Sequence, residues 1–118
     1  MSSILFLHYD KCDTCRRALR WLAVRGVTPT LRAIVEQPPT REELGRWVPA
    51  SGRPLRKWLN TSGQSYRALG AAAVAAMTDE QLLDALTRDG KLVKRPILVV
   101  GREVVVGFDE DAYARSLG

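Results

Sequence analysis

The order of three segments at the start of the chain most restricts its fold: an apolar run, a cysteine-bearing turn, and an amphipathic stretch. Ile4-Leu5-Phe6-Leu7-His8 gives way to the polar turn Tyr9-Asp10-Lys11, and Cys12-Asp13-Thr14-Cys15 follows at once. From Cys15 the small or apolar residues Ala18, Leu19, Leu22 and Ala23 recur at helical spacing, with Arg16, Arg17, Arg20 and Arg25 on the other side. Gly26 is a helix stop. The pattern predicts a buried strand at 4–8 and a helix from about Asp13 to Arg25. Cys12 then faces the unpaired N–H groups and positive dipole end of the helix, and Cys15 lies one turn later on its inward face. Val27 to Val35 carries a second strand, centred on Leu31 to Val35. A β-α-β unit with two parallel strands results.

Such a placement of cysteine favours thiol chemistry. The thiolate is the reactive form, and helix N-termini and nearby cations stabilise it. Lys11, Arg16 and His8 are cationic or proton-sharing neighbours of Cys12, and Asp10 and Asp13 oppose them. Zinc is disfavoured because it needs four ligands and His8 is the only histidine. A pair of inert core thiols is the bland alternative. Two cysteines three residues apart cannot staple distant parts of a fold, so a reducing cytoplasm is expected. No run approaches the ~18 apolar residues of a membrane span, and no basic segment precedes the first apolar run. No membrane association is expected.

The 118 residues suffice for one domain, 1–118, with its own core. The net charge of +5 favours anionic partners, such as an oxyanion or an acidic protein surface. Arginines spread along the chain, with few aromatics, argue against direct nucleic-acid binding.

After Glu36-Gln37-Pro38-Pro39, the spacing Thr40…Glu43 is that of a capping box, predicting a helix through about Val48 that Pro49 and the Ser51-Gly52 turn end. Arg53 to Leu59 reads as a helical turn or two, Asn60-Thr61-Ser62-Gly63 as a loop, and Ser65 to Leu69 as a brief helix closed by Gly70. Ala71 to Met77 reads as helical. Thr78…Gln81 repeats the capping-box spacing and starts a helix ending near Gly90. Residues 40–88 are thus a strandless helical insertion. Ile97 to Val100 and Glu103 to Val106 form a hairpin about Gly101-Arg102, a II′ turn with glycine first. Asp109-Glu110-Asp111 opens a last helix with acids at its N-terminus. Trp21, Trp47 and Trp58 are read as packing residues. The fold class is α/β: a mixed four-stranded sheet flanked by helices, with the insertion between a β-α-β and a β-β-α half.

Cys-x-x-Cys at the first helix, with a proline, Pro96, opening the third strand, resembles the thioredoxin fold. That resemblance implies a cis Arg95–Pro96 bond beside Cys12. Four segments, Cys12 to Arg16, Asn60 to Arg67, Gly90 to Ile97 and Val106 to Phe108, are similar to the family that joins glutaredoxin-linked arsenate reductases with Spx-type regulators. The reductases imply Cys12 as nucleophile, His8 as its upstream histidine, and Arg95 and Arg56 as oxyanion ligands. Their third arginine has no match, because Gly107-Phe108 resembles the Spx side. Cys15 stands where glutaredoxin-linked reductases usually carry serine, which implies a dithiol.

The resemblance therefore implies reduction of arsenate or a similar oxyanion by a monomer with no bound cofactor. Resolution would come from Cys15 or glutathione, with glutaredoxin or thioredoxin as reductant. Two other readings follow from the same residues. One is a redox-sensing regulator that binds RNA polymerase, with Gly52 as the contact candidate. The other is a general disulfide reductase lacking an oxyanion pocket.

Overall fold

The computed structural model describes residues 3–118. Strand β1 (Ile4–His8) leads into helix α1 (Asp13–Val24) and strand β2 (Thr30–Ala33). Helices α2 (Arg41–Ser51), α3 (Gln64–Leu69), α4 (Ala71–Ala75) and α5 (Asp79–Arg88) follow, with 3-10 turns at Leu55–Trp58 and Gly90–Leu92. Strands β3 (Ile97–Val100) and β4 (Glu103–Val106) and helix α6 (Glu110–Leu117) complete the chain. The sheet order is β2-β1-β3-β4. β1 runs parallel to β2 and antiparallel to β3, which in turn pairs antiparallel with β4. This is the expected thioredoxin-like sheet.

Strand alternation explains the two-sided core. Successive side chains point to opposite faces. Phe6 and Leu98 pack on one face with Ala18 and Leu22 of α1 and Tyr113 of α6. Leu7, Ile97 and Val99 pack on the other with Leu44 and Trp47 of α2 and Leu82 and Leu86 of α5. The helical stretch between β2 and β3 therefore covers one whole face of the sheet. Trp47 and Trp58 are buried there, while Trp21 is half-buried in an aromatic cluster with Phe108 and Tyr113.

Both capping boxes form, Thr40 with Glu43 and Thr78 with Gln81. Pro49 does not end α2, which runs on to Ser51 and the left-handed Gly52. A proline in the last turn forfeits one internal hydrogen bond. The turn is secured instead by Ser51 Oγ, which donates to Val48 O (2.7 Å) and accepts from Trp58 Nε1 (3.1 Å). β2 lies earlier than its apolar centre, and Leu31 is 53% exposed, as an edge strand permits. α4 stops at Ala75, short of Met77. α5 stops at Arg88, and Gly90 instead begins a 3-10 turn pressed against β2's exit. A Cβ on Gly90 would lie 1.9 Å from Ile34 O, so only glycine fits. Gly101 alone takes positive φ (59°) in the two-residue hairpin turn, as II′ geometry requires.

Candidate functional site

Cys12 is the N-cap of α1, with extended backbone (φ −106°, ψ 114°). Its Sγ accepts a hydrogen bond from the backbone N–H of Cys15 at 3.3 Å, taking the place of a capping oxygen. Its own N–H donates to Tyr9 O (3.1 Å), which fixes the turn that leaves β1. Arg16 pins the same turn from outside, donating to Asp13 (2.7 Å) and to Asp10 O (3.0 Å). That pairing accounts for Arg16, so the turn's shape is set before any ligand arrives.

The two thiols differ. Cys12 is half-buried, whereas Cys15 is 1% exposed, and both are free. Burial pushes the Cys15 thiol up to about 12, with the hydrogen bond to Cys12 and its charge adding to the effect. A hydrogen bond with the Tyr9 backbone and the charge of Arg95 oppose it. Cys15 therefore stays protonated at neutral pH. Behind it, burial and the neighbouring Cys15 raise Tyr113, whose hydroxyl donates to Gly107 O (2.8 Å).

Arg95 and Pro96 are joined by a cis peptide bond. Gly107 N donates to Pro96 O at 2.7 Å, so β4's exit braces the proline segment. The Arg95 guanidinium lies over the Tyr9 ring, 4.6 Å from its centroid. Among the described residues its one hydrogen bond is a long one, Nη1 to Lys91 O at 3.4 Å, and its buried Nε has no partner. A cleft of about 390 Å³ opens here, lined by Tyr9, Lys11, Arg67, Lys91 and Arg95. Asn60, Ser62, Gly63 and Gln64 form its loop wall.

The structure does not bring Arg56 to this cleft. Its guanidinium donates to Val74 O (3.2 Å) and Met77 O (2.5 Å), satisfying carbonyls at the end of α4. The insertion delivers Arg67 in its place. His8 is also elsewhere: strand alternation turns its ring onto Phe6, with centroids 6.3 Å apart, and it lines a neighbouring hollow with Asp10 and Glu36. Sequence reasoning assigned no role to Tyr9, Asn60, Arg67 or Lys91. The signal available was the segment Asn60 to Arg67, part of the family likeness, which by composition reads as a loop followed by a brief helix. Among the described residues no group of three or more His, Cys, Asp or Glu converges to hold a metal. No described helix is long and apolar enough to cross a membrane.

Comparison with known proteins supplies the context for this geometry. An arsenate reductase from Escherichia coli is 34% identical over 99 residues, covering 84% of this chain and 70% of that protein. The regulatory protein MgsR of Bacillus subtilis (strain 168) is 29% identical over 106 residues, covering 90% and 83%. The crystal structure of an ArsC family related protein from Bacteroides fragilis matches with a TM-score of 0.91 at 42% identity, over 97% of both chains. The ArsC family model itself spans residues 7–116. A Cys-x-x-Cys turn, a cis Arg-Pro segment and a cation-lined cleft thus sit in a chain that belongs to the ArsC family.

Proposed function

We propose that this protein is a thiol oxidoreductase that reduces arsenate or a similar oxyanion in a reducing cytoplasm. The observation that carries the reading is Cys12 Sγ capping a helix directly after Lys11, one of the four cationic residues that line the cleft with no acidic one among them. In the first step the Cys12 thiolate attacks arsenic; an S–As bond forms, and one oxygen leaves as water after taking up protons. Arg95, with a free Nε and no carboxylate partner, stabilises charge on the remaining oxygens. A second thiolate then attacks Cys12 Sγ. The S–S bond forms and the S–As bond breaks with its electron pair going to arsenic. As(V) becomes As(III) while two thiols become one disulfide.

Exchange requires a thiolate, and burial disfavours that form of Cys15. The step is assigned to an external thiol, and glutaredoxin or thioredoxin regenerates Cys12. Purified protein given arsenate with glutathione and glutaredoxin, or with thioredoxin, should form arsenite. Cys12→Ser should abolish turnover, and Cys15→Ser should retain most of it. Reduction of small disulfides with no arsenite formed would replace this reading by a general disulfide reductase.

A second reading rests on Gly52. It is exposed at the C-terminus of α2, with φ 69° and no atom within 4 Å of where a Cβ would stand, and a regulator is among the relatives. Absence of turnover together with capture of RNA polymerase, lost in Gly52→Arg, would favour a redox-sensing regulator.

A further inference from the structure

We propose that Tyr9 is a positioning residue: its ring sets the Arg95 guanidinium to meet an anion approaching Cys12, while its carbonyl closes the turn that carries that sulfur. The inference rests on the reading above, in which Arg95 stabilises charge on a bound oxyanion, and it names the residue through which that arginine is held.

Tyr9 is the first residue beyond β1, so the sheet fixes where its backbone begins. Its carbonyl accepts the Cys12 N–H at 3.1 Å. Its half-buried ring packs against the core cluster that contains Leu7 and Ile97, and the Arg95 guanidinium lies 4.6 Å from the ring centroid. Tyr9 lines both the cleft and the hollow that holds His8, and so stands between them. One side chain, anchored in the core, thus touches the arginine, and its own backbone holds the cysteine turn.

What else holds Arg95 is slight. Its hydrogen bond to Lys91 O is 3.4 Å long, and the ion pairs among the described residues involve only Arg16, Arg32 and Arg41. An arginine has large rotamer freedom, and nothing polar here restricts it strongly. An aromatic platform does so in a way a carboxylate cannot. It orients the guanidinium by its face and leaves the N–H donors at the edge unused. The buried, unpartnered Nε is one such donor. The charge of Arg95 acts on the Cys15 thiol, and the Cys15 N–H donates to Cys12 Sγ, so the arginine held by Tyr9 belongs to the surroundings of the reactive sulfur. The ring makes the contact with Arg95, so phenylalanine retains it and an aliphatic side chain loses it.

The test uses two alkylating reagents that differ in charge and needs no arsenate. Reaction of Cys12 with iodoacetate, an anion, and with iodoacetamide, its neutral analogue, is followed at one pH by peptide mass spectrometry. Each forms an S–C bond as iodide leaves with the electron pair, so their rate ratio cancels the thiolate fraction and the exposure of the sulfur. The ratio is normalised to that of 2-mercaptoethanol. Arg95→Ala should lower it about tenfold. Tyr9→Met and Tyr9→Leu, which fill the core contact without a π face, should each lower it about fivefold. Tyr9→Phe should keep it within about twofold. In the Arg95→Ala background, Tyr9→Met should change nothing further. A ratio lowered by Arg95→Ala but unmoved by Tyr9→Met and Tyr9→Leu would overturn the positioning role alone. A ratio unmoved by Arg95→Ala would overturn the anion role of Arg95 and this inference with it. An equal loss in Tyr9→Phe and Tyr9→Met, or a further loss in the double variant, would also overturn the proposal, because the ring would then not act through Arg95.

Discussion

Arg32 on β2 and Arg95 just before β3 flank β1 from its two sides, and their surroundings are opposite. Arg32 donates to both Glu43 oxygens at 2.8 Å, to Gln37 O at 2.9 Å and to Pro38 O at 2.8 Å. Arg95 has one bond of 3.4 Å and an unpartnered Nε. Both guanidinium groups lie over an aromatic ring, Trp47 for Arg32 and Tyr9 for Arg95. Aromatic contact therefore does not separate them; the carboxylate does. A guanidinium with four of its five N–H donors used ties elements together, here the edge strand to α2's capping box. One held in place yet short of acceptors keeps donors open, which is what the proposed oxyanion role of Arg95 requires.

The largest expected effect is on turnover. Arg95→Ala should lower kcat/KM for arsenate by roughly 100- to 1000-fold with little change in thermal midpoint. A midpoint loss as large as that of the Arg32 variant would dissolve the contrast. Arg32→Ala should do the reverse, costing about 2 kcal/mol and roughly 8 °C in Tm while arsenate KM stays put. It would leave Glu43 half-buried without its cation.

A smaller effect lies on the alkaline side. The Cys15 thiol is raised from 9.0 to about 12 in the fold, so above pH 9 the unfolded chain binds fewer protons and stability falls until about pH 12. Chemical denaturation should show about 1.4 kcal/mol less stability at pH 10 than at pH 8 from this group, absent in Cys15→Ala. Because Arg95 pulls the Cys15 value down, Arg95→Ala should extend that decline to higher pH, and Arg32→Ala should not. The smallest effect is in acid. Arg32 holds the Glu43 carboxyl below its ordinary 4.5, so its contribution is full above that value and is lost as pH falls through the lower folded one. Glu43→Gln should flatten this acid limb without touching turnover.

How much of this was legible depends on the range of the interaction. The 4–8 strand, α1, both capping boxes and the β3–β4 turn follow from residues within a few positions of each other, and local periodicity predicts them. Cys12 at a helix N-cap and Cys15 on the buried face follow from the same spacing. Pro49 inside α2 does not, because the hydroxyl and indole that steady its last turn come together only in the folded insertion. Arg56 and Arg67 were beyond local reading for a related reason. Which arginine reaches the cleft depends on how short helices pack on one another, and Arg56 is consumed by the end of α4. The orientation of His8 was available from alternation, since it shares a face with Phe6; the family likeness outweighed that simpler argument.

Helix α6 is joined to the cis-proline segment by a short relay: the Tyr113 hydroxyl donates to Gly107 O, and the Gly107 amide donates to the carbonyl of Pro96. On a ribosome, Cys12 is made well before Pro96, Gly107 and Tyr113. The turn that carries its thiol is closed by Tyr9 O and Arg16, a few residues away, and so can form before the proline segment is braced.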